Sequence, residues 1–229
     1  MRYVLATIFI GFLFTCTFCF AADKLELKDQ KDKESYSLGY QFGRGMKAQG
    51  LDINLEAYSS GIKDALSGTN PQLSQEEIQK TIAEIQKRVM AAREKGLKEI
   101  SAKNLSESKI FLEENKKKEG IKTLPSGLQY KVLTEGSGKT PRATDQVTVN
   151  YKGTLINGSE FDNSYKRGNP TTFQLGKVIK GWMEALQLMK EGSKWQLFIP
   201  PELGYGERGA GPVPPNSVLI FEVELLAIK

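Results

Sequence analysis

The chain has 229 residues, 39% of them apolar, enough for one large domain or two modest ones with buried cores. Its 32 basic and 27 acidic residues leave a formal charge of +5 with no Lys/Arg block interleaved with aromatics, which argues for a mildly basic surface and against nucleic-acid binding. The absence of histidine excludes Ser/His and Cys/His catalysis and argues against most catalytic zinc arrangements, so any chemistry must use other groups; no metal and no cofactor are expected.

The first segment, Met1 to Asp23, has one arginine, a continuous apolar run and a small-x-small site at Cys19-Phe20-Ala21. This is the pattern of a signal peptide over residues 1–21, cut after Ala21. A retained N-terminal anchor is the alternative, because the apolar run approaches the length that spans a bilayer. Lipidation is a third reading, weakened by the bulky Phe14 ahead of Cys16. Both cysteines, Cys16 and Cys19, fall in the segment to be removed, so the mature chain is expected to carry no disulfide and no free thiol.

Residues 22–72 read as a small helical domain. From Glu34 to Gln49, Tyr36, Leu38, Phe42 and Met46 approximate one helical face, and Gly39 and Gly43 stand four apart. Glycine weakens a helix, and close approach of a second helix backbone would justify the pair; incidental glycines in a weak helix are the other reading. Asn54 and Gly68 mark the start and stop of a second helix. A capping box, Ser74-Gln75-Glu76-Glu77, opens a third, which runs through Ile78, Ile82, Ile85 and Val89 into a Lys/Glu-rich stretch. Residues 73–119 are expected to form one long connecting helix of about 60 Å, with a break near Gly96 or Asn104 as the alternative.

Composition changes at Gly120. Period-two runs at 128–132, 146–151, 194–199 and 217–226 predict antiparallel strands, and a single short helix fits, around Lys180 to Met189. The expected class is α+β: an all-α N-terminal region with its long helix, then an antiparallel sheet wrapped on one short helix over residues 120–229.

Within that last region stand, in order, Val149-Asn150-Tyr151-Lys152-Gly153-Thr154-Leu155, Gly158-Ser159-Glu160-Phe161-Asp162-Asn163-Ser164 and Phe173-Gln174-Leu175-Gly176-Lys177-Val178-Ile179-Lys180-Gly181-Trp182. Ile199-Pro200-Pro201-Glu202-Leu203-Gly204-Tyr205-Gly206, Val213-Pro214-Pro215-Asn216 and Leu219-Ile220-Phe221-Glu222-Val223-Glu224-Leu225 follow. These blocks resemble the FKBP-type peptidyl-prolyl isomerase domain over Ile121 to Lys229. The N-terminal half, entered by Ser35-Tyr36-Ser37-Leu38-Gly39-Tyr40, resembles the FKBP N-terminal dimerisation domain, and the whole resembles the macrophage infectivity potentiator-like group of envelope isomerases.

The resemblance implies a pocket with Trp182 as its floor and Tyr151, Phe161 and Phe221 as its walls. Val178 and Ile179 would offer backbone N–H, Tyr205 its hydroxyl, and Asp162 a carboxylate paired with Arg167. By the same resemblance Asp162, Tyr205, Phe161 and Trp182 carry the catalysis. The chain departs from the family in the loop 206–213, where Ala210 stands and Val213 is the one aliphatic, and at Thr171, which replaces an aromatic. The partners implied are proline-containing unfolded polypeptides, a second copy of the chain through the N-terminal helices, and macrolide inhibitors of the FK506 and rapamycin type. The location implied is the periplasm or outer envelope of a Gram-negative bacterium.

Read from the residues alone, each of these aromatics could be an ordinary core side chain; Asp162 beside Phe161 is the one that asks for a cleft, with turn capping as its competitor. The chemistry needs no acid, base or metal: turning an X–Pro amide costs about 18–20 kcal/mol of resonance and makes or breaks no other bond. An apolar box that disfavours the planar, dipolar amide relative to the twisted one suffices. The enzyme reading stands against a non-catalytic dimeric chaperone that grips Pro-containing segments in a degenerate pocket.

Overall fold

The computed structural model describes residues 25–229; the expected signal peptide, 1–21, lies outside the described residues. The chain divides into two compact units, Met1–Asn70 and Pro71–Lys229.

The first unit contains helices α1 (Gln30–Ala48) and α2 (Leu55–Ser67). Asp29 caps α1 by accepting the Asp32 N–H at 2.8 Å, and the Asn54 carboxamide oxygen caps α2 by accepting the N–H groups of Glu56 and Ala57 at 3.0 Å. Gly68, at φ 67°, ends α2 in the left-handed conformation that glycine adopts without penalty. Neither helix buries a single residue. Tyr36, Leu38 and Phe42 remain 57–62% exposed, and a Cβ at Gly39 or Gly43 would meet nothing within 4 Å. The apolar face read from the sequence is therefore formed but uncovered in the single chain.

The second unit opens with α3 (Gln75–Asn115), 41 residues long. Its capping box is complete: the Glu77 N–H donates to Ser74 Oγ at 3.2 Å, and the Ser74 N–H to Glu77 Oε2 at 2.8 Å. Neither Gly96 nor Asn104 breaks the helix, which at 1.5 Å per residue measures about 60 Å. Its last turns pack on the sheet. Phe111 lies 6.0 Å from Phe198, Asn115 Nδ2 donates to Gln129 Oε1 at 2.9 Å, and Gln129 Nε2 donates to the Leu112 carbonyl at 2.9 Å. Gly120 marks the change from helix to strand, but no packing boundary falls there.

The strands are β1 (Ile121–Thr123), β2 (Gln129–Thr134), β3 (Gln146–Thr154), β4 (Glu160–Asn163), β5 (Thr171–Gln174), β6 (Lys194–Ile199) and β7 (Leu219–Ile228). All pairings are antiparallel, in the order β1-β2-β6-β7-β3-β4, with β5 also on β3. The four long strands coincide with the period-two runs of the sequence. The short ones, β1, β4 and β5, have too few residues to show a period. Val147, Val149 and Tyr151 of β3, Trp195, Leu197 and Ile199 of β6, and Leu219, Phe221, Val223 and Leu225 of β7 alternate inward. They close on α5 (Lys180–Leu186), which contributes Trp182, Ala185 and Leu186; Met189, expected as its last residue, is buried just beyond its end. A second short helix that sequence periodicity could not reveal, α4 (Ser164–Arg167), joins β4 to β5.

Gly181 lets α5 sit on the sheet: a Cβ there would lie 2.5 Å from Ile199 Cγ2. Gly181→Ala is expected to lower unfolding stability by about 1–3 kcal/mol, as overpacking does. Gly96→Ala, where nothing lies within 4 Å, is expected to raise it by about 1 kcal/mol through helix propensity alone. Urea unfolding followed by circular dichroism distinguishes the two signs.

Candidate functional site

The site begins with how the edge of β3 is shared. Lys152 to Thr154 pair with β4 and Gln146 to Val149 pair with β5, so no strand covers that edge at Asn150 and Tyr151. There the Tyr151 N–H donates instead to Ser164 Oγ at 2.8 Å, and Ser164 is fully buried. Asn163 caps α4 by accepting the Tyr165 N–H at 2.9 Å and the Lys166 N–H at 3.3 Å. One turn later, Arg167 is brought back beside β4.

A cavity of about 380 Å³ opens at this edge. Trp182, only 4% exposed, forms its floor and meets Tyr151 at 5.1 Å, Phe173 at 5.6 Å and Phe221 at 5.1 Å between ring centroids, all three near-perpendicular. Such edge-to-face contacts are the favoured geometry of aromatic clusters. Phe161 completes the wall, edge-on to Phe221 at 5.3 Å. The wall depends on Gly153, opposite Asp162 and Phe221 in the ladders, where a Cβ would lie 2.7 Å from both phenylalanine rings.

Polar groups gather on one side. The Tyr151 hydroxyl donates to Asp162 Oδ2 at 2.6 Å and accepts from Arg167 Nη2 at 2.7 Å, while Arg167 Nη1 bonds Asp162 Oδ1. The Asn163 N–H adds a further bond to Asp162 Oδ1 at 2.8 Å. Burial pushes the Asp162 carboxyl up, but hydrogen bonds from Tyr151 and Arg167 and the Arg167 charge outweigh it and hold the group below the usual carboxylate range. The Tyr151 phenol is pushed up by burial and by its bond to Asp162. Tyr205 is pushed up by burial and by the Asp162 charge. Asp162 is thus a fixed anion, with no proton to give near neutral pH.

Besides the Trp182 Nε1 in the floor, two donors on the cavity wall stand unused. The Tyr205 hydroxyl makes no hydrogen bond among the described residues, and neither does the Ile179 N–H. The Val178 N–H is occupied, reaching the Leu175 carbonyl at 3.5 Å.

Nine of the ten residues selected from the sequence, Tyr151, Phe161, Asp162, Val178, Ile179, Trp182, Tyr205, Val213 and Phe221, line this one cavity. Arg167, the tenth, lies outside the lining and acts on it through Asp162 and Tyr151. Phe173, Lys177 and Pro212 also line it and were not foreseen. Thr171 was expected to cost the pocket an aromatic. It is not on the wall; its Oγ1 accepts from Arg167 Nη2 at 3.3 Å, and Phe173, two residues on and therefore on the same face of β5, supplies the ring.

Among the described residues no cluster of His, Cys, Asp and Glu could hold a metal ion. Comparison with known proteins gives one answer throughout. The family described as FKBP-type peptidyl-prolyl cis-trans isomerase matches residues 137–226, and the domain amino terminal to FKBP-type peptidyl-prolyl isomerase matches residues 31–132. The chain is 43% identical to the outer membrane protein MIP of Legionella longbeachae, over 100% of this chain and 99% of that protein. It is 43% identical to the peptidyl-prolyl cis-trans isomerase Mip of Coxiella burnetii, over 100% and 98%. The crystal structure of FkpA from Escherichia coli superposes with a TM-score of 0.69 at 40% identity, covering 89% of this chain and 99% of that one. The chain belongs to the FKBP-type peptidyl-prolyl cis-trans isomerases, and its activity is rotation of X–Pro peptide bonds.

Proposed function

We propose that the cavity floored by Trp182 is where the isomerase acts, and that it acts on exported polypeptides as one half of a homodimer. The observation that carries the first part is the pairing of five aromatic rings with two unused donors, Tyr205 Oη and the Ile179 N–H, in one cavity. The proline ring enters between Tyr151, Phe161, Phe173 and Phe221 and rests on Trp182. The free donors take backbone carbonyls flanking the bond. The X–Pro amide then lies in a medium poor in water, which disfavours its planar, dipolar form against the twisted one. Asp162 contributes as a charge and as an anchor for Tyr151; its bonds to Tyr151, Arg167 and Asn163 exclude a role as general acid.

Asp162→Ala leaves Arg167 and the Tyr151 hydroxyl without their partner. At a side chain 40% exposed the loss is expected at the low end for a charged hydrogen bond, about 1.5 kcal/mol, or about a tenfold fall in kcat/KM in a protease-coupled proline-peptide assay. Undetectable turnover in the unmodified chain, with aggregation of a client still suppressed, would favour the non-catalytic chaperone.

The three shifted groups of the site, Asp162, Tyr151 and Tyr205, all move away from neutrality. The Asp162 carboxyl is held low and both phenols high, so turnover is expected to stay flat from about pH 5 to about pH 9. Because the folded-state value of Asp162 is depressed, the stability it contributes is present above the ordinary carboxylate range and is lost only as pH falls through that lower value. Acid titration of turnover and of folding checks both limits; a break near pH 7 would contradict the assignment.

Homodimerisation is supported by the uncovered apolar face of α1, by the open space at Gly39 and Gly43, and by the match to the N-terminal domain family. A partner helix seated on those glycines gives them the close approach that the single chain does not require. Phe42→Asp places a charge on this face and is expected to halve the solution mass measured by light scattering, with turnover of a short peptide within about twofold of the parent. Export to the envelope is supported by the N-terminal pattern over 1–21 and by relatives such as the outer membrane protein MIP. No helix among the described residues is long and apolar enough to cross a membrane.

A further inference from the structure

The segment that roofs the cavity runs from Tyr205 to Val213 and returns to β7 through Pro214, Pro215, Asn216 and Ser217. It is braced internally: Ala210 and Val213 exchange N–H to carbonyl bonds of 3.0 and 2.9 Å. Gly209, at φ 66°, is packed so closely that a Cβ would lie 2.3 Å from the Val213 oxygen. Val213 anchors this braced loop in the core, and Asn216 ties its return to α3, with nearly every polar group of that residue engaged.

Its N–H donates to the Gly206 carbonyl at 2.9 Å, next to Tyr205 on the cavity wall. Its carbonyl accepts from Ser108 Oγ at 2.8 Å, and its Nδ2 donates to Ser101 Oγ at 2.8 Å and to the Ser101 carbonyl at 3.4 Å. Asn104 Nδ2 adds a bond of 2.7 Å to the Pro215 carbonyl. Ser101, Asn104 and Ser108 lie at spacings of three and four on one face of α3. Ser108 is 2% and Asn216 6% exposed, so these bonds are shielded from competing water. Asn216 is also the one non-glycine with positive φ among the described residues, at 52°, a conformation asparagine tolerates better than most. The polar stripe of α3 and the left-handed asparagine thus meet at a single junction.

We propose that Asn216, clamped by Ser101 and Ser108, is a positioning residue through which α3 sets the grip of the isomerase pocket on its peptide. The inference rests on the reading of that cavity as the prolyl site. The clamp touches the roof and the Tyr205 end of the pocket. It does not touch the Trp182 floor or the Asp162–Arg167 pair, so it governs binding of the flanking peptide more than the turning of the bond. A helix in this position is part of the catalytic unit as well as an arm.

The test uses the full-length chain with Ser108→Ala and with Asn216→Gly, which keeps the positive φ and removes the carboxamide. Steady-state isomerisation of an X–Pro peptide is expected to show KM raised about fivefold in each, the ratio one net hydrogen bond supports, with kcat within about twofold of the parent. Glu94→Ala, on the exposed part of α3, is expected to leave both constants unchanged. Unchanged KM in both junction variants overturns the proposal, whatever happens to their melting temperatures, and so does a fall in kcat with KM held. Failure here is separable from failure of the site itself, which Asp162→Ala reports.

Discussion

The pocket depends on a gap in one edge of strand β3. Where β4 stops and β5 has not yet begun, the Tyr151 N–H would be left without a strand partner, and the buried hydroxyl of Ser164 takes it. That bond seats α4, and α4 delivers Arg167 to Asp162 and to the Tyr151 hydroxyl. The same gap leaves the Tyr151 ring as a wall between the inner face of the sheet and α5. An uninterrupted ladder along β3 would have closed the space that the cavity occupies.

Around this gap the molecule separates two tasks. Apart from Tyr151, whose hydroxyl is bonded to Asp162 and Arg167, the aromatic rings of the wall and floor are held by packing; the Trp182 Nε1 is buried without a hydrogen-bond partner, so nothing but contact fixes the floor. The charges are held by bonds to one another, with Asp162 accepting from Tyr151, Arg167 and Asn163. An apolar medium with its single carboxylate already committed suits a reaction that transfers no proton. The lack of histidine, which removes whole classes of hydrolase, costs this chemistry nothing.

The long helix has two different faces. Its outer face is laced by Lys–Glu pairs such as Glu94 with Lys98 and Lys103 with Glu107, surface pairs that water and salt screen and that add little to stability. Along its last turns charged residues such as Lys103 and Glu107 stay on the outer face, and the face toward loop and strand carries Ser101, Asn104, Ser108 and Asn115, uncharged groups that can be buried without the cost of desolvating an ion.

Much of this was legible in the sequence because it is local. The capping box at Ser74, the caps Asn54 and Gly68, and the period-two runs of β3, β6 and β7 depend on residues within a few positions of each other, and each appears where its pattern stands. The ordered motif blocks also named nearly all of the cavity wall, since a family keeps its site residues in a fixed frame. Phe173, Lys177 and Pro212 escaped because their membership in the wall depends on the path of a four-residue strand and of a loop, neither long enough to carry a period. The junction at Asn216 escaped for a different reason: its partners are 108 and 115 positions away, and a serine on a helix has no signature that tells a buried hydrogen bond from a solvated hydroxyl. By itself, then, the sequence determined the long elements, their caps and most of the residues that line the cavity. Only the tertiary structure decided where the helix joins the sheet and which donors stay free, because those depend on distances between residues that the chain keeps far apart.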